Sequence, residues 1–151
     1  MALITRASDA SPDTSNALVT AQVAGLIAGE DIDVGAPCYI KGDDGKVYMS
    51  YVDEEGIETE AANIHGWSFQ SCKAGAAVTL AQPGVRYRYA ASGLTPGQPL
   101  YLGSEPGTLA DSDSAAEGAH PIAFAINTTD IIAIALSLPS IPVAEEGGEQ
   151  Q

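Results

Sequence analysis

The sequence predicts a mainly β protein: a small duplicated β-sandwich or β-barrel-like domain with a flexible N-terminal arm and a disordered C-terminal tail. Three observations support this fold class. The 16 glycines and 9 prolines leave few segments long enough for a three-turn helix. The longest run without either residue, IAFAINTTDIIAIALSL, alternates large and small side chains as strands do. One phrase of the chain also occurs twice.

The N-terminal segment, residues 1–16, is polar and lacks strand periodicity after a short apolar tip. We expect a flexible arm that adds little to the core, so that its deletion leaves the melting temperature nearly unchanged. Arg6 would suit an acidic patch on a partner that orders the arm. The single β-rich body is expected over 17–139, and the acidic tail, 140–151, is expected to be disordered.

Short strands are expected in order along the body. The candidates are residues 17–24, 37–41, 46–52, 67–71, 76–81, 85–90 and 99–103. Residues 122–138 are expected to form a β-hairpin, because Asn127–Asp130 offers a tight connection between two alternating halves. The one helical candidate is a short segment at 57–64.

A repeated phrase predicts an internal duplication. VGAPCYIKGDDGKVYMS, which begins at Val34, returns 62 positions later as PGQPLYLGSEPGTLADS. The matched pairs include Gly35 with Gly97, Pro37 with Pro99, Tyr39 with Tyr101 and Gly45 with Gly107. Each copy reads as a turn, a strand, a glycine-containing hairpin turn and a second strand. We expect two superimposable units, at about 25–82 and 88–138.

A second echo, NIHGWSFQ against GAHPIAFA, places the two histidines in matching positions at an offset of 55. His65 and His120 are therefore expected to fill a common structural position. A general base also needs a nucleophile and an orienting partner, and neither histidine has such a motif beside it. No catalytic residue is predicted.

No cofactor-binding or metal-binding residue is predicted either. GWSFQ lacks the second glycine of a nucleophile elbow, and KGDDGK and DSDS lack the ligand spacing of a calcium loop. Cys38 and Cys72 form no metal-binding pattern, and Cys38 corresponds to Leu100 in the repeat. Both cysteines are expected to be unpaired thiols.

The charge balance excludes two classes of partner. The chain has 6 basic and 20 acidic residues, a formal net charge of -14. Such a chain repels phosphate backbones and anionic lipid surfaces, so neither nucleic acid nor a membrane is an expected partner. The sequence also has no signal-peptide pattern at its start and no apolar run long enough to span a bilayer.

Over roughly residues 17–138 the chain resembles the small capsid decoration, or cement, proteins of tailed bacteriophages. The stretches AGAAVTLAQPGV and LTPGQPLYL carry most of the likeness. The resemblance implies a structural virion protein without enzymatic activity, made in the bacterial host cytoplasm and bound to the outer capsid surface. The resemblance also implies that the partner is the major capsid protein, whose neighbouring subunits this protein would clamp together. It further implies self-association as a homotrimer.

The arm supplies the candidate capsid-contacting residues, which are Ala2, Leu3, Ile4, Thr5 and Arg6. Two alternative functions remain. A glycan-binding or adhesion module displayed on a virion would expose Trp67 and Tyr101 side by side, although strand aromatics usually pack a sheet face. A small hydrolase would bring His65 or His120 beside an acid and a nucleophile in a cleft.

Overall fold

The computed structural model describes residues 2–12, 22–52, 60–111, 120–134 and 136. Their regular structure is β, apart from one turn of 3₁₀ helix at Glu60–Ala62. The strands are β1 (Ser11–Pro12), β2 (Gln22–Ile27), β3 (Pro37–Ile40), β4 (Val47–Met49), β5 (Gly66–Ser68), β6 (Ala77–Ala81), β7 (Arg86–Arg88), β8 (Pro99–Leu102), β9 (Leu109–Ala110), β10 (Ala123–Ala125) and β11 (Asp130–Ala133). The mainly β prediction is confirmed.

These strands form two antiparallel sheets in a sandwich-like arrangement. The first sheet has the order β2-β6-β5-β3-β4, and the second has the order β1-β7-β11-β10-β8-β9. Every predicted strand overlaps an observed one, including the hairpin that β10 and β11 form across residues 126–129. Strand periodicity and the positions of glycine and proline were therefore sufficient to locate these elements.

The duplication is visible in the topology. Replacing strands β2 to β6 by strands β7 to β11, in chain order, turns the strand order of the first sheet into that of the second. The second sheet has β1 as an additional strand at one edge. In the first half Ile40 lies opposite Val47. In the second half Leu102 lies opposite Leu109, at the same offset of 62 positions.

Two turn glycines hold the same place in both halves. Gly35 and Gly97 have φ values of 73° and 81°, a left-handed conformation that glycine adopts without steric cost. The Gly35 amide donates a hydrogen bond of 3.0 Å to the Ser68 carbonyl oxygen. The Gly97 amide donates to the Ala125 carbonyl oxygen at 2.7 Å. The repeated glycines thus start strands β3 and β8 from the same turn.

The pairing of the two histidines was wrong. The Cys38 carbonyl oxygen accepts from the His65 amide at 2.7 Å, and the equivalent Leu100 carbonyl oxygen accepts from Ile122 at 2.8 Å. Ile122, and not His120, is therefore the counterpart of His65. The error is two positions, which leaves each side chain on the same face of a strand, so the alternation pattern did not reveal it.

The larger hydrophobic cluster lies between the sheets. The Trp67 ring stacks on the Tyr87 ring at a centroid distance of 6.5 Å, and the Tyr87 hydroxyl donates to the Ser68 carbonyl oxygen at 2.9 Å. A smaller cluster that includes Cys38 and Leu80 lies on the opposite face of the first sheet. Burying each large side chain of these clusters contributes about 1.5–3 kcal/mol.

Residues 2–12 differ from the expectation of a free arm, because they run along the body. The amide of Ile4 donates to Leu109 at 2.9 Å, and the Ile4 side chain packs against the larger cluster. At the other edge of the same sheet, β1 pairs with β7. Sheet edges present unpaired amide and carbonyl groups, and the arm satisfies them without any strand periodicity of its own.

Three other expectations lie wholly or partly outside the described residues. The end of the arm at 13–16 and the tail at 140–151 are not described. Of the predicted helix at 57–64, the structure describes only the part from Glu60 onward, where Glu60–Ala62 form the 3₁₀ turn.

Candidate functional site at the N-terminal arm

The arm presents alternate side chains to solvent. Leu3 forms a bridge with Ala110 and is 36 % exposed, Ile4 turns toward the core, and Thr5 is exposed again. At the start of the arm the Asp111 amide donates to the Ala2 carbonyl oxygen at 3.1 Å. Leu3 and Thr5 therefore form an outward-facing row along the edge that β9 would otherwise leave open, and Ala2 is exposed at the start of the arm.

Arg6 joins the arm to both halves of the body. One guanidinium nitrogen lies 3.1 Å from the Asp33 carboxylate, and another donates to the Gly107 carbonyl oxygen. The guanidinium also lies 5.1 Å from the centroid of the Tyr89 ring, within cation–π range. These contacts are all with its own chain, and the expectation that Arg6 meets an acidic patch on a partner stays a prediction.

An open groove separates the arm from the first half. It has a volume of about 360 Å³ and is lined by Ala10, Ser11, Pro12, Val34, Phe69, Gln70 and Ser71. None of these side chains is charged or titratable. The groove has room for a small uncharged group and has no side chain that transfers a proton.

The two histidines have different surroundings. The Nδ1 atom of His65 accepts a hydrogen bond of 2.9 Å from the Ile40 amide, which makes His65 part of the ladder between β3 and β5. His120 is exposed at the start of the strand run that contains β10. Among the described residues, no group of three or more His, Cys, Asp or Glu side chains is placed to hold a metal ion.

Both cysteines are free thiols in the structure. Cys38 is fully buried, and its thiol donates to the Ala36 carbonyl oxygen at 3.3 Å. Burial raises the pKa of the Cys38 thiol and, to a smaller extent, that of the half-buried Cys72 thiol. Because the thiolate is the reactive form, this environment disfavours nucleophilic chemistry at either residue.

The aromatic residues proposed as a glycan platform are not arranged as one. Trp67 is 0 % exposed in the larger core cluster, and Tyr101 is half-buried in β8. The alternative expectation of Trp67 and Tyr101 exposed side by side is therefore wrong. The preference of strand aromatics for a packed sheet face explains the placement of Trp67.

The acidic turn between β3 and β4 is a hydrogen-bonded hairpin turn. The Asp44 carboxylate accepts from the Lys46 amide at 2.9 Å and from the Tyr48 hydroxyl at 2.7 Å. These bonds lower the pKa of Asp44, and the bond to Asp44 raises the pKa of Tyr48 to about 12. The residues that resembled part of a calcium loop thus bond to their own turn.

Comparison of the sequence with protein-family models gives no match, and comparison with curated proteins gives none either. Within the described ranges, the structure contains no helix with the length and hydropathy of a membrane span.

Proposed function

We propose that this protein is a structural component of a phage head that binds the outer capsid surface and clamps neighbouring major capsid subunits. It acts without enzymatic activity. We propose this class of protein because residues 17–138 resemble capsid decoration proteins. A duplicated β body that carries a pre-ordered arm is compatible with this role, because rigid elements lose little entropy on binding.

The observation that carries the proposal is the outward row of the arm. Leu3 and Thr5 lie along an outer sheet edge, and the bonds of Ile4 and Arg6 to the body hold that row in place. An apolar side chain on a fixed strand edge suits strand addition to an extended segment of a partner. The acidity of the chain, a net charge of -14, disfavours binding to DNA instead.

Point variants test the arm better than its deletion. Residues 2–12 pair with both edges of the second sheet, so their deletion should lower the melting temperature of the free protein. Leu3→Asp places a charge in the outward row and leaves the Ile4 and Arg6 contacts intact. We expect it to weaken capsid binding at least about tenfold, as loss of one buried anchor does, with the melting temperature nearly unchanged.

The matched control is Ala76→Asp, which adds the same charge at an exposed residue of a turn in the first half. It should bind capsids like the unaltered protein. Cosedimentation with heads that lack this protein measures both variants, using the phage whose major capsid gene neighbours this gene. Undiminished binding of Leu3→Asp would exclude the arm as the contact, and failure of the unaltered protein to bind would exclude the proposed function.

A further inference from the structure

Corresponding faces of the two sheets can be identified from the strand pairing. In the first sheet Trp67 lies opposite Pro37 and Ala81, and we call this row the Trp67 face. The corresponding row of the second sheet consists of Pro99, Phe124 and Ile132, which we call the Phe124 face. The two faces occupy the same place in the duplicated fold.

Within the chain, strand β7 of the second half covers the Trp67 face. The Tyr87 ring stacks on Trp67, and its hydroxyl bonds to the Ser68 carbonyl oxygen. A Cβ atom on Gly35 would lie only 3.3 Å from the Tyr87 ring, so the turn and the ring are in direct contact. The contact thus joins two different surfaces: the Trp67 face of the first half and strand β7 of the second half.

The Phe124 face has no comparable cover among the described residues. Phe124 is 38 % exposed, whereas its counterpart Trp67 is 0 % exposed. A Cβ atom on Gly97 would meet nothing within 4 Å, unlike one on Gly35. Ile134, which continues the ladder by donating to the Ile122 carbonyl oxygen, is also exposed. A sheet face of this composition is expected to be buried against a partner.

The counterpart of β7 is equally uncovered. Val23 lies opposite Leu80, as Tyr87 lies opposite Ile131, so Val23 of β2 is the counterpart of Tyr87. Tyr87 is fully buried, whereas Val23 is 39 % exposed. In the part of the chain that the structure describes, β2 is an edge strand with exposed apolar side chains.

We propose that β2 of one copy docks on the Phe124 face of a second copy, repeating between chains the contact that β7 makes with the Trp67 face within one chain. Each copy carries both surfaces, and in the described part of the chain each surface is open without the neighbour. Such a head-to-tail contact generates a closed ring or a filament rather than a two-fold dimer. The inference comes from the two halves alone and does not depend on capsid binding.

The contact between copies should depend on salt concentration, because the chain is strongly acidic. Two copies of a chain with net charge -14 repel each other at low ionic strength, whereas the two docking surfaces are apolar. Beside Ile132, Arg86 pairs with Asp130 at 2.9 Å, so that edge of the face carries its own counter-charge. Association should therefore strengthen as salt screens the net repulsion.

The test uses two charge variants, Val23→Asp on β2 and Phe124→Asp on the opposing face. By sedimentation velocity at physiological salt, the unaltered protein should have a mass of two or more times 15.4 kDa, the mass of one chain. Each variant alone should be a monomer, and Ala76→Asp, which adds the same charge at an exposed turn residue, should assemble normally. Circular dichroism checks folding, and Val23→Ser with Ile134→Asp replaces the first pair if either variant unfolds.

Mixing the two variants distinguishes a head-to-tail contact from other modes. The Val23→Asp chain keeps an intact Phe124 face and the Phe124→Asp chain keeps an intact β2, so a mixture should form dimers and nothing larger. A mixture that stays monomeric would overturn the proposal, as would single variants that assemble normally. An unaltered protein that is monomeric at all concentrations, as expected if residues 137–151 of the same chain cover the Phe124 face, would overturn it too.

Discussion

Trp67, at the centre of the first sheet, is completely buried, whereas Phe124, at the equivalent position of the second sheet, is more than a third exposed. The backbones of the two halves agree in strand order and in turn glycines. The difference shows that a duplicated backbone does not fix the use of its faces. The side chains differ between the two halves, so that one face is an internal contact and the other is exposed among the described residues.

Truncating the two aromatic residues should show the largest contrast. Trp67→Ala removes a completely buried ring, and we expect a loss of about 3–5 kcal/mol in the free energy of unfolding. Phe124→Ala in the monomer should cost about 1 kcal/mol, because much of that ring is already in water. Urea unfolding of both variants measures the difference. Equal losses would mean that the two faces are equally packed.

Adding one methyl group tests the closeness of packing. A Cβ atom on Gly66 would lie 2.7 Å from the Leu80 Cβ atom, whereas the second half accommodates Ala123 at the equivalent position. Gly66→Ala should therefore destabilise the protein by about 1–3 kcal/mol through overpacking. The reverse change, Ala123→Gly, should cost about 1 kcal/mol through backbone entropy. A neutral Gly66→Ala would show that β5 and β6 separate easily.

Removing Arg6 tests the link between the halves. Arg6→Ala loses the ion pair with Asp33, the bond to Gly107 and the contact with the Tyr89 ring. Asp33 is mostly exposed, so solvent screens the ion pair, and we expect a total loss of about 1–2 kcal/mol. Arg6→Lys keeps the charge without the planar fork and should recover only part of the loss. Full recovery by lysine would contradict the geometry described for this site.

The loss of stability at alkaline pH tests the burial of Cys38, whose counterpart in the second half, Leu100, has no titratable group. Burial raises the pKa of Cys38 above its ordinary 9.0 and that of Tyr87 above 10.0. The unfolded chain therefore loses these protons first, so the contribution to stability is complete below pH 9.0 and falls as pH rises. In Cys38→Ala the fall between pH 9.0 and 10.0 should be shallower, because only the less strongly shifted Cys72 thiol still contributes there. Thermal melts from neutral to alkaline pH measure the slope, and an unchanged slope would argue against a buried thiol.

Much of the fold was predictable from local chemistry. The paired glycines, such as Gly35 and Gly97, locate the turns, and side-chain alternation locates the strands between them. The residue-by-residue correspondence between β5 and β10 was not predictable, since matching His65 to His120 differs from the true correspondence by two residues and keeps every face unchanged.

The candidate site was only partly predictable. Composition identified the arm as a distinct segment, but composition does not encode which sheet edge remains open until the tertiary structure forms. The arm therefore shows no periodicity, yet it pairs with β7 at Pro12 and docks on β9 through Ile4. Arg6 likewise finds Asp33 and Gly107 only after both halves are folded.

The contacts of the arm can form only late in the synthesis of the chain. Its first residues bond to partners far along the chain, and Ala2 and Asp111 are separated by 109 positions. Those partners leave the ribosome about a hundred residues after the arm, since synthesis runs from the N-terminus. Closing so long a loop is slow because its entropy must be lost before the contact forms. The segment made first therefore stays unsecured until β7 and β9 have left the ribosome.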